Sequence, residues 1–177
     1  MRVVAGIYGG RRIVAPAGSV TRPTSDRVRE ALFSVLGASV RDARVLDLFA
    51  GSGALAIEAL SRGAAAAVFV ERAPKAIAAI RANLDALGIE GDVRRMEARA
   101  ALRAASTRGE AYDLVFLDPP YRRAAGLGRE LSEALPAVLA AGARVVSESD
   151  RRDPLALELA LSGERRYGDT VIRIHDT

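Results

Sequence analysis

From residue 44 onward, short apolar runs alternate with longer amphipathic segments, and this alternation constrains the fold more than any other feature of the sequence. The short runs have the length of strands, and the segments between them have the spacing of helices. Repeated strand–helix units favour an α/β fold with a mostly parallel sheet and helices on both faces. The predicted strands are 45–49, 67–71, 92–96, 112–117 and 144–148, and the predicted helices run from the glycine loop to about 61 and over 74–87, 98–106 and 127–139.

A smaller unit precedes this core. Residues 2–5 and 11–15 predict two short strands around a glycine turn. Thr24 or Ser25 can cap the helix that follows, and Gly37 ends it. The N-terminal region therefore predicts a small β-hairpin followed by a helix.

The C-terminal tail predicts a hairpin that closes the sheet. Its strands are expected at 155–161 and 170–174, and Tyr167–Thr170 is expected to form a turn. His175, the single histidine, is expected to be an exposed terminal residue.

Composition excludes several classes of protein. The chain has 177 residues, half of them hydrophobic, which is enough for the core of one domain. It has no cysteine and one histidine, so disulfides are excluded and no metal site is expected. No uncharged run approaches the roughly 20 residues that cross a bilayer, so we expect a soluble, cytoplasmic protein without a membrane partner.

The positive charge is concentrated at the N-terminus. The chain carries a formal charge of +4, yet residues 1–29 contain six arginines and one acid, Asp26. A basic segment attached to a nearly neutral body indicates contact with a polyanion. The alternative for each arginine is a solvated side chain or an intramolecular pair with Asp26 or Glu30.

A glycine loop follows the first core strand. Gly51, Gly53 and Ala56 have the Gly-x-Gly-x-x-Ala spacing that lets a backbone turn sharply and approach a ligand. Glu71 ends the next strand, where a carboxylate can accept hydrogen bonds from both hydroxyls of a ribose. The pattern indicates a nucleoside-containing cofactor and suits NAD as well as S-adenosylmethionine. Asp47 favours the second, because a buried carboxylate suits a cationic ligand better than two phosphates.

The sequence Asp118-Pro119-Pro120-Tyr121 follows the strongest predicted strand and is expected beside the cofactor. Two prolines remove two backbone donors, so the main chain there presents only acceptors. The Asp118 carboxylate and the Pro119 carbonyl can both accept from one exocyclic amino group and orient its lone pair toward a methyl donor. Tyr121 offers a ring on which a flipped base can stack.

Together these motifs resemble those of class I S-adenosylmethionine-dependent methyltransferases that act on exocyclic amines. The flanking segments Arg22–Phe33 and Arg166–Thr170 further resemble the bacterial 16S ribosomal RNA guanine-N2 methyltransferases of the RsmD type. The resemblance covers nearly the whole chain. It implies a Rossmann-like, seven-stranded fold and methylation of a guanine N2 in 16S rRNA, within an assembling small subunit, by a protein expected to be a monomer.

The resemblance also assigns residues. It implies a single domain over 1–177, with a basic extension over 1–40 and a catalytic core over 41–177. The implied catalytic residues are Asp118, Pro119, Pro120 and Tyr121. The implied cofactor-binding residues are Asp47, Ala50, Gly51, Ser52, Gly53, Glu71, Arg72, Glu97 and Ala98. The basic N-terminal segment, rather than the resemblance, indicates the RNA-binding residues. These are Arg11, Arg12, Arg22, Arg27 and Arg29, with Arg22 or Thr24 expected near the mouth of the active site.

Three other functions stay open at this point. An adenine-N6 nucleic-acid methyltransferase would share the catalytic motif, and only the flanking segments favour guanine. An NAD-dependent oxidoreductase would share the glycine loop and Glu71, although no hydride-transfer partner is evident. The third is a catalytically silent RNA-binding module with a methyltransferase fold.

Overall fold

A computed structural model describes residues 1–16, 25–120 and 124–177. Seven strands form one sheet in the order β3-β2-β1-β4-β5-β7-β6. The strands are β1 (Arg44–Asp47), β2 (Ala66–Glu71), β3 (Asp92–Arg95), β4 (Tyr112–Leu117), β5 (Leu139–Asp150), β6 (Leu161–Tyr167) and β7 (Thr170–Asp176). The helices are α1 (Asp26–Leu36), α2 (Ala54–Ser61), α3 (Pro74–Leu87), α4 (Ala98–Thr107) and α5 (Ala124–Ala134), with 3₁₀ turns at Gly37–Val40 and Leu135–Val138.

The first five strands are parallel to one another, and β7 runs antiparallel to both of its neighbours, β5 and β6. Side chains alternate along each strand between two apolar layers. In β4, Leu114 and Phe116 face the cluster that includes α1, α2 and α3, whereas Val115 and Leu117 face the cluster that includes α4 and α5. The prediction of a mostly parallel seven-stranded sheet with helices on both faces is confirmed.

Residues 1–16, here called the arm, form a hairpin-shaped turn in which Arg2 and Arg12 make one antiparallel bridge. The two strands predicted at 2–5 and 11–15 are reduced to this bridge, because side chains of α2 accept backbone N–H groups of the arm. The Glu58 carboxylate accepts from the N–H groups of Val4 and Ala5 at 2.7 and 3.0 Å. Ser61 accepts from the Tyr8 N–H at 3.0 Å and donates to the Ala5 carbonyl at 2.5 Å. The arm is thus bound to the core by long-range side-chain contacts.

Gly6 lies where the arm approaches α2 most closely. Its φ is +84°, and a Cβ there would overlap the Ser61 carbonyl oxygen. Gly10 has a similar φ of +81°, but no heavy atom of the described residues lies within 4 Å of the corresponding position, so it is a matched control. Both alanine variants lose about 1–2 kcal/mol from the left-handed backbone, and Gly6→Ala loses more because the arm must move. We expect thermal unfolding and limited proteolysis to show a larger loss for Gly6→Ala; equal effects would contradict close docking of the arm.

Helix α1 begins as predicted, with Ser25 capping it by accepting from the Val28 N–H at 3.3 Å. Arg29 is predicted to contact RNA, and that prediction is wrong because its side chain is fully buried. Its guanidinium donates to Asp26 at 2.9 Å and to the Arg2 carbonyl, and it lies 3.6 Å from the Glu58 carboxylate. Arg29 therefore joins α1, α2 and the arm and is not available to a polyanion.

The tail differs from the prediction. The closing hairpin pairs β7 with β6, which contains Ser162 and Gly163, and the segment expected as a strand at 155–161 lies outside β6 except for Leu161. That segment packs on α5 instead, where the Glu158 N–H donates to the Ser132 hydroxyl at 2.8 Å. The turn at Tyr167–Thr170 is confirmed.

His175 was expected to be exposed, and that prediction is wrong. It is 3% exposed, its Nδ1 lies 3.1 Å from the Leu159 carbonyl, and burial lowers the pKa of its ring. The cause is its position within β7, between β5 and β6.

Two other elements differ in length from the prediction. Helix α5 ends before the predicted residue 139, because Leu135–Val138, which contains Pro136, forms a 3₁₀ turn. Strand β5 extends beyond the predicted 144–148 at both ends.

Candidate active site at the carboxyl edge of the sheet

The carboxyl ends of the central strands bring four acidic side chains to one edge. Asp47 ends β1, Glu71 ends β2, Asp118 follows β4, and Glu148 lies near the end of β5. Asp47 of β1 pairs with Phe116 of β4, and Leu117 of β4 pairs with Ser147 of β5. Asp118 and Glu148 are the next residues after that second pair, so they are neighbours across the ends of β4 and β5. Parallel strands with this topology bind ligands in the crevice beyond these ends.

The glycine loop turns sharply between β1 and α2. Gly51 and Gly53 have φ values of +54° and +79°, and the Gly53 N–H donates to the Ala50 carbonyl at 2.6 Å. A Cβ at Gly53 would lie 3.1 Å from the Phe69 ring, whereas the nearest atom to a Cβ at Gly51 is the Phe49 carbonyl oxygen at 3.9 Å. Gly53 is therefore required by packing inside the protein. Gly51 instead leaves open space for a ligand to approach the backbone.

Glu71 is held in place by backbone donors. Its Oε2 accepts from the Gly51 N–H at 3.1 Å, and its Oε1 accepts from the Arg72 and Ala73 N–H groups at 2.7 and 2.8 Å. The carboxylate therefore lies against the glycine loop at the end of β2. A carboxylate fixed there can accept the paired hydroxyls of a ribose.

Asp47 is 1% exposed, and burial raises its pKa from the ordinary 3.8 to about 7. Backbone bonds from Ala56 and Phe49 lower the pKa in part, and the Glu71 charge raises it. Its Oδ1 has no hydrogen-bond partner among the described residues. A buried carboxylate with one unsatisfied oxygen fits a cationic ligand, which would supply the missing donor and charge.

Glu97 and Ala98 lie at the start of α4, which follows β3. Glu97 is exposed, and its carboxylate pairs with the Arg72 guanidinium at 3.1 Å. Ala98 is buried. The structure thus brings Arg72 and Glu97 together across the ends of β2 and β3, on the side of the glycine loop where Glu71 lies.

Asp118 is part-buried, and Pro119 is buried beside it. The pKa of Asp118 is raised well above its usual range, first by burial and then by the negative charges of Glu148 and Asp47. Pro120 is exposed, and Tyr121 lies outside the described residues. The four acidic side chains at this edge, with Asp47, Asp118 and Glu148 close enough to influence one another, favour a positively charged ligand in the crevice.

The candidate RNA-binding residues do not form one uniform surface. Arg11, Arg12 and Arg27 are exposed, whereas Arg22 and Thr24 lie outside the described residues. The Arg11 guanidinium donates to the Ala86 carbonyl at the end of α3, at 2.6 Å, so it also anchors the arm.

Sequence reasoning missed two buried polar residues near the site. Glu148 acts on Asp118 electrostatically, and only the pairing of β4 with β5 reveals their proximity. Asn83 of α3 donates to the carbonyl of Ser52 in the glycine loop at 2.9 Å. One signal could have identified Asn83, because it is the only asparagine in a chain that has no glutamine.

The described residues also bear on membranes and metals. Within residues 1–16, 25–120 and 124–177, none of the helices combines the length and apolar character that a membrane crossing requires. In the same ranges, no three histidine, cysteine, aspartate or glutamate side chains are placed to hold a metal ion.

Comparison with known proteins identifies relatives along the whole chain. It is 38% identical to "Putative rRNA methyltransferase YlbH" of Bacillus subtilis, over 99% of this chain and 98% of that protein. It is 41% identical to "Ribosomal RNA small subunit methyltransferase D" of Escherichia coli K12, over 70% of this chain and 61% of that protein. The solved structure "Putative methyltransferase yhhF from Escherichia coli" matches with a TM-score of 0.83 at 34% identity, over 99% of this chain and 97% of that chain.

The fold, the carboxyl-edge crevice and these relatives define a Rossmann-like methyltransferase. The model of one family matches residues 1–176. The chain belongs to that family, described as conserved hypothetical protein 95, which corresponds to the RsmD type.

Proposed function

We propose that this protein methylates the exocyclic N2 amino group of a guanine in small-subunit (16S) ribosomal RNA, with S-adenosylmethionine as donor. The observation that carries the proposal is the position of Asp118-Pro119-Pro120 at the same sheet edge as Asp47, the glycine loop and Glu71. The relatives named as rRNA methyltransferases supply the class of substrate. The resemblance of the flanking segments supplies the choice of guanine N2.

The contacts of the crevice support a cofactor-binding role for several of its residues. Bound S-adenosylmethionine supplies an electrophilic methyl group on a sulfonium. The Asp47 carboxylate would bind its positive end, Gly51 would allow the loop backbone to approach it, and Glu71 would accept from its ribose hydroxyls. Ala50, Ser52, Gly53, Arg72, Glu97 and Ala98 complete the proposed cofactor surface.

The catalytic part of the site orients an amine. The Asp118 carboxylate and the Pro119 carbonyl accept the two amino hydrogens, which directs the nitrogen lone pair away from the base ring. The negative charge of Asp118 also stabilises the positive charge that the nitrogen gains as it is methylated. The proton then leaves to water. Pro120 fixes the backbone direction, and Tyr121 stacks on the flipped base.

The proposal extends to partners and organisation. Arg11, Arg12, Arg22, Thr24 and Arg27 would contact the RNA backbone, since the arm and the start of α1 hold the excess positive charge. The protein would act as a monomeric single domain over 1–177, with the basic extension over 1–40. We further propose that the protein acts in the cytoplasm on an assembling small subunit.

The test uses small subunits purified from cells that lack this gene. The protein and tritiated S-adenosylmethionine are added, and the labelled nucleosides are identified after digestion. We expect a single labelled product, N2-methylguanosine, and stabilisation against heat by S-adenosylhomocysteine. N6-Methyladenosine would indicate the adenine enzyme instead, stabilisation by NAD alone would indicate an oxidoreductase, and stabilisation by S-adenosylhomocysteine without any transfer would indicate a silent binding module.

A further inference from the structure

Asn83 of α3 bonds to the arm and to the glycine loop with one side chain. It is 2% exposed, and its oxygen accepts from the Val14 N–H at 2.7 Å. Its amide nitrogen donates to the Val14 carbonyl at 3.0 Å and to the Ser52 carbonyl at 2.9 Å. The carboxamide therefore satisfies both backbone groups of one arm residue and one carbonyl of the loop.

The chemistry of this position is restrictive. A carboxamide carries a separate acceptor and a two-proton donor in one plane, and both hydrogens of the Asn83 nitrogen are used. An aspartate could still accept from the Val14 N–H, but its second oxygen would face two carbonyl oxygens in a buried site. Such an arrangement leaves those groups without partners, which is costly away from water.

The contacts also connect two sites with different proposed ligands. Val14 lies two residues after Arg12, in the basic arm, and Ser52 lies between the two glycines of the cofactor loop. Ordering the arm fixes the Asn83 amide, and the fixed amide holds the loop carbonyl. Binding at either end therefore lowers the conformational cost of binding at the other.

We propose that Asn83 is a positioning residue that shapes the cofactor loop and couples it to the arm, so that cofactor and RNA strengthen each other's binding. The RNA half of this inference rests on the proposed function. The cofactor half rests only on the contacts of Asn83 and is measured without RNA.

The experiment compares the wild-type protein with Asn83→Asp and with a matched control, Ser61→Ala. Ser61 anchors the same arm through Tyr8 and Ala5 but lies at the last residue of α2, whereas the glycine loop precedes the first. Calorimetry gives the affinity for S-adenosylhomocysteine. Filter binding gives the affinity for 16S rRNA with and without S-adenosylhomocysteine, and steady-state kinetics give KM and kcat.

In the wild-type protein, we expect S-adenosylhomocysteine to tighten RNA binding about fivefold or more, the lower end of typical coupling. Asn83→Asp is expected to weaken S-adenosylhomocysteine binding about tenfold, to raise the KM for S-adenosylmethionine with kcat little changed, and to abolish the coupling. Ser61→Ala is expected to keep cofactor affinity within about twofold and to keep the coupling. If Asn83→Asp does not fold, Asn83→Ala, which adds no charge, is measured in the same way.

Two results would overturn the cofactor half of the inference. One is cofactor affinity within about twofold of wild type when Asn83 is replaced, and the other is an equal loss in Ser61→Ala, which would make Asn83 only one anchor among several. A wild-type protein that binds RNA without any effect of S-adenosylhomocysteine would overturn the coupling. Failure to bind 16S rRNA at all would contradict the proposed function, and the cofactor affinities would still decide the role of Asn83 at the loop.

Discussion

Replacing Asp118 with asparagine is expected to lower kcat for methyl transfer at least a hundredfold while the protein becomes more stable to heat at pH 8. The loss follows because the variant has no negative charge to stabilise the methylated amine, a contribution of the size seen for preorganised electrostatic groups, about 10²–10³ in rate. The gain in stability follows because burial and the charges of Glu148 and Asp47 raise the pKa of Asp118. A carboxyl group whose pKa is higher in the folded protein than in the unfolded chain destabilises the fold as the pH rises above the ordinary value. Asparagine cannot ionise, so the variant avoids this loss.

Opposite signs for activity and stability separate catalysis from a structural role. The measurements are single-turnover methyl transfer and thermal unfolding at pH 8. Asp113→Asn is the control, because Asp113 lies at the other end of β4 and accepts the Arg44 N–H at 2.8 Å, which an asparagine oxygen can still do. We expect the control to keep its activity. A fall in both activity and stability for Asp118→Asn would show that Asp118 supports the fold rather than the reaction.

Replacing Asp47 with asparagine is expected to stabilise the ligand-free protein by about 4 kcal/mol at neutral pH and above, and to weaken cofactor binding tenfold or more. The size comes from the pKa of Asp47, which rises from 3.8 to about 7, because each pKa unit corresponds to 1.36 kcal/mol. Since the folded-state pKa is raised, the folded protein retains a proton that the unfolded chain releases. The destabilisation is therefore absent below about pH 4, grows as the pH rises, and is complete above pH 7.

The same group predicts the pH dependence of cofactor binding. Only ionised Asp47 offers a full charge to a cation, so affinity should fall about tenfold for each pH unit below 7 and level off above it. Urea unfolding at pH 5 and pH 8, with calorimetry of S-adenosylhomocysteine over the same range, measures both effects. Asp42→Asn provides a control, because Asp42 is exposed just before β1 and its φ of +60° suits asparagine. A pH-independent affinity in the wild-type protein would contradict this assignment of Asp47.

Much of the site could be predicted because its residues follow from local patterns. Asp47 and Glu71 end strands that the sequence itself marks, Asp118 directly follows another, and Gly51 lies in the loop after the first. The carboxyl ends of parallel strands meet at one edge. Position along a strand was therefore enough to place them together. The roles of Gly51 and Gly53 could not be separated in this way, since only packing against Phe69 shows that one serves the interior and the other faces open space.

The predictions that were wrong or incomplete concern long-range partners. Arg29 has the same local setting as Arg27, but the structure buries it between Asp26 and Glu58. His175 stands three residues from the C-terminus, yet antiparallel pairing with β5 and β6 covers it. Leu155 and its neighbours have a strand-like pattern, but they pack on α5 rather than in the sheet.

The sequence alone determined the α/β architecture, the order of its central elements and the chemical character of its carboxyl edge, because periodicity, glycine and proline act over a few residues. The tertiary structure decided which carboxylates influence one another, how the arm is anchored, and that one asparagine joins the arm to the cofactor loop. The bonds from Glu58, Ser61 and Asn83 to the arm join residues 53 to 69 positions apart along the chain. They depend on how helices and strands pack, and no local pattern encodes that arrangement.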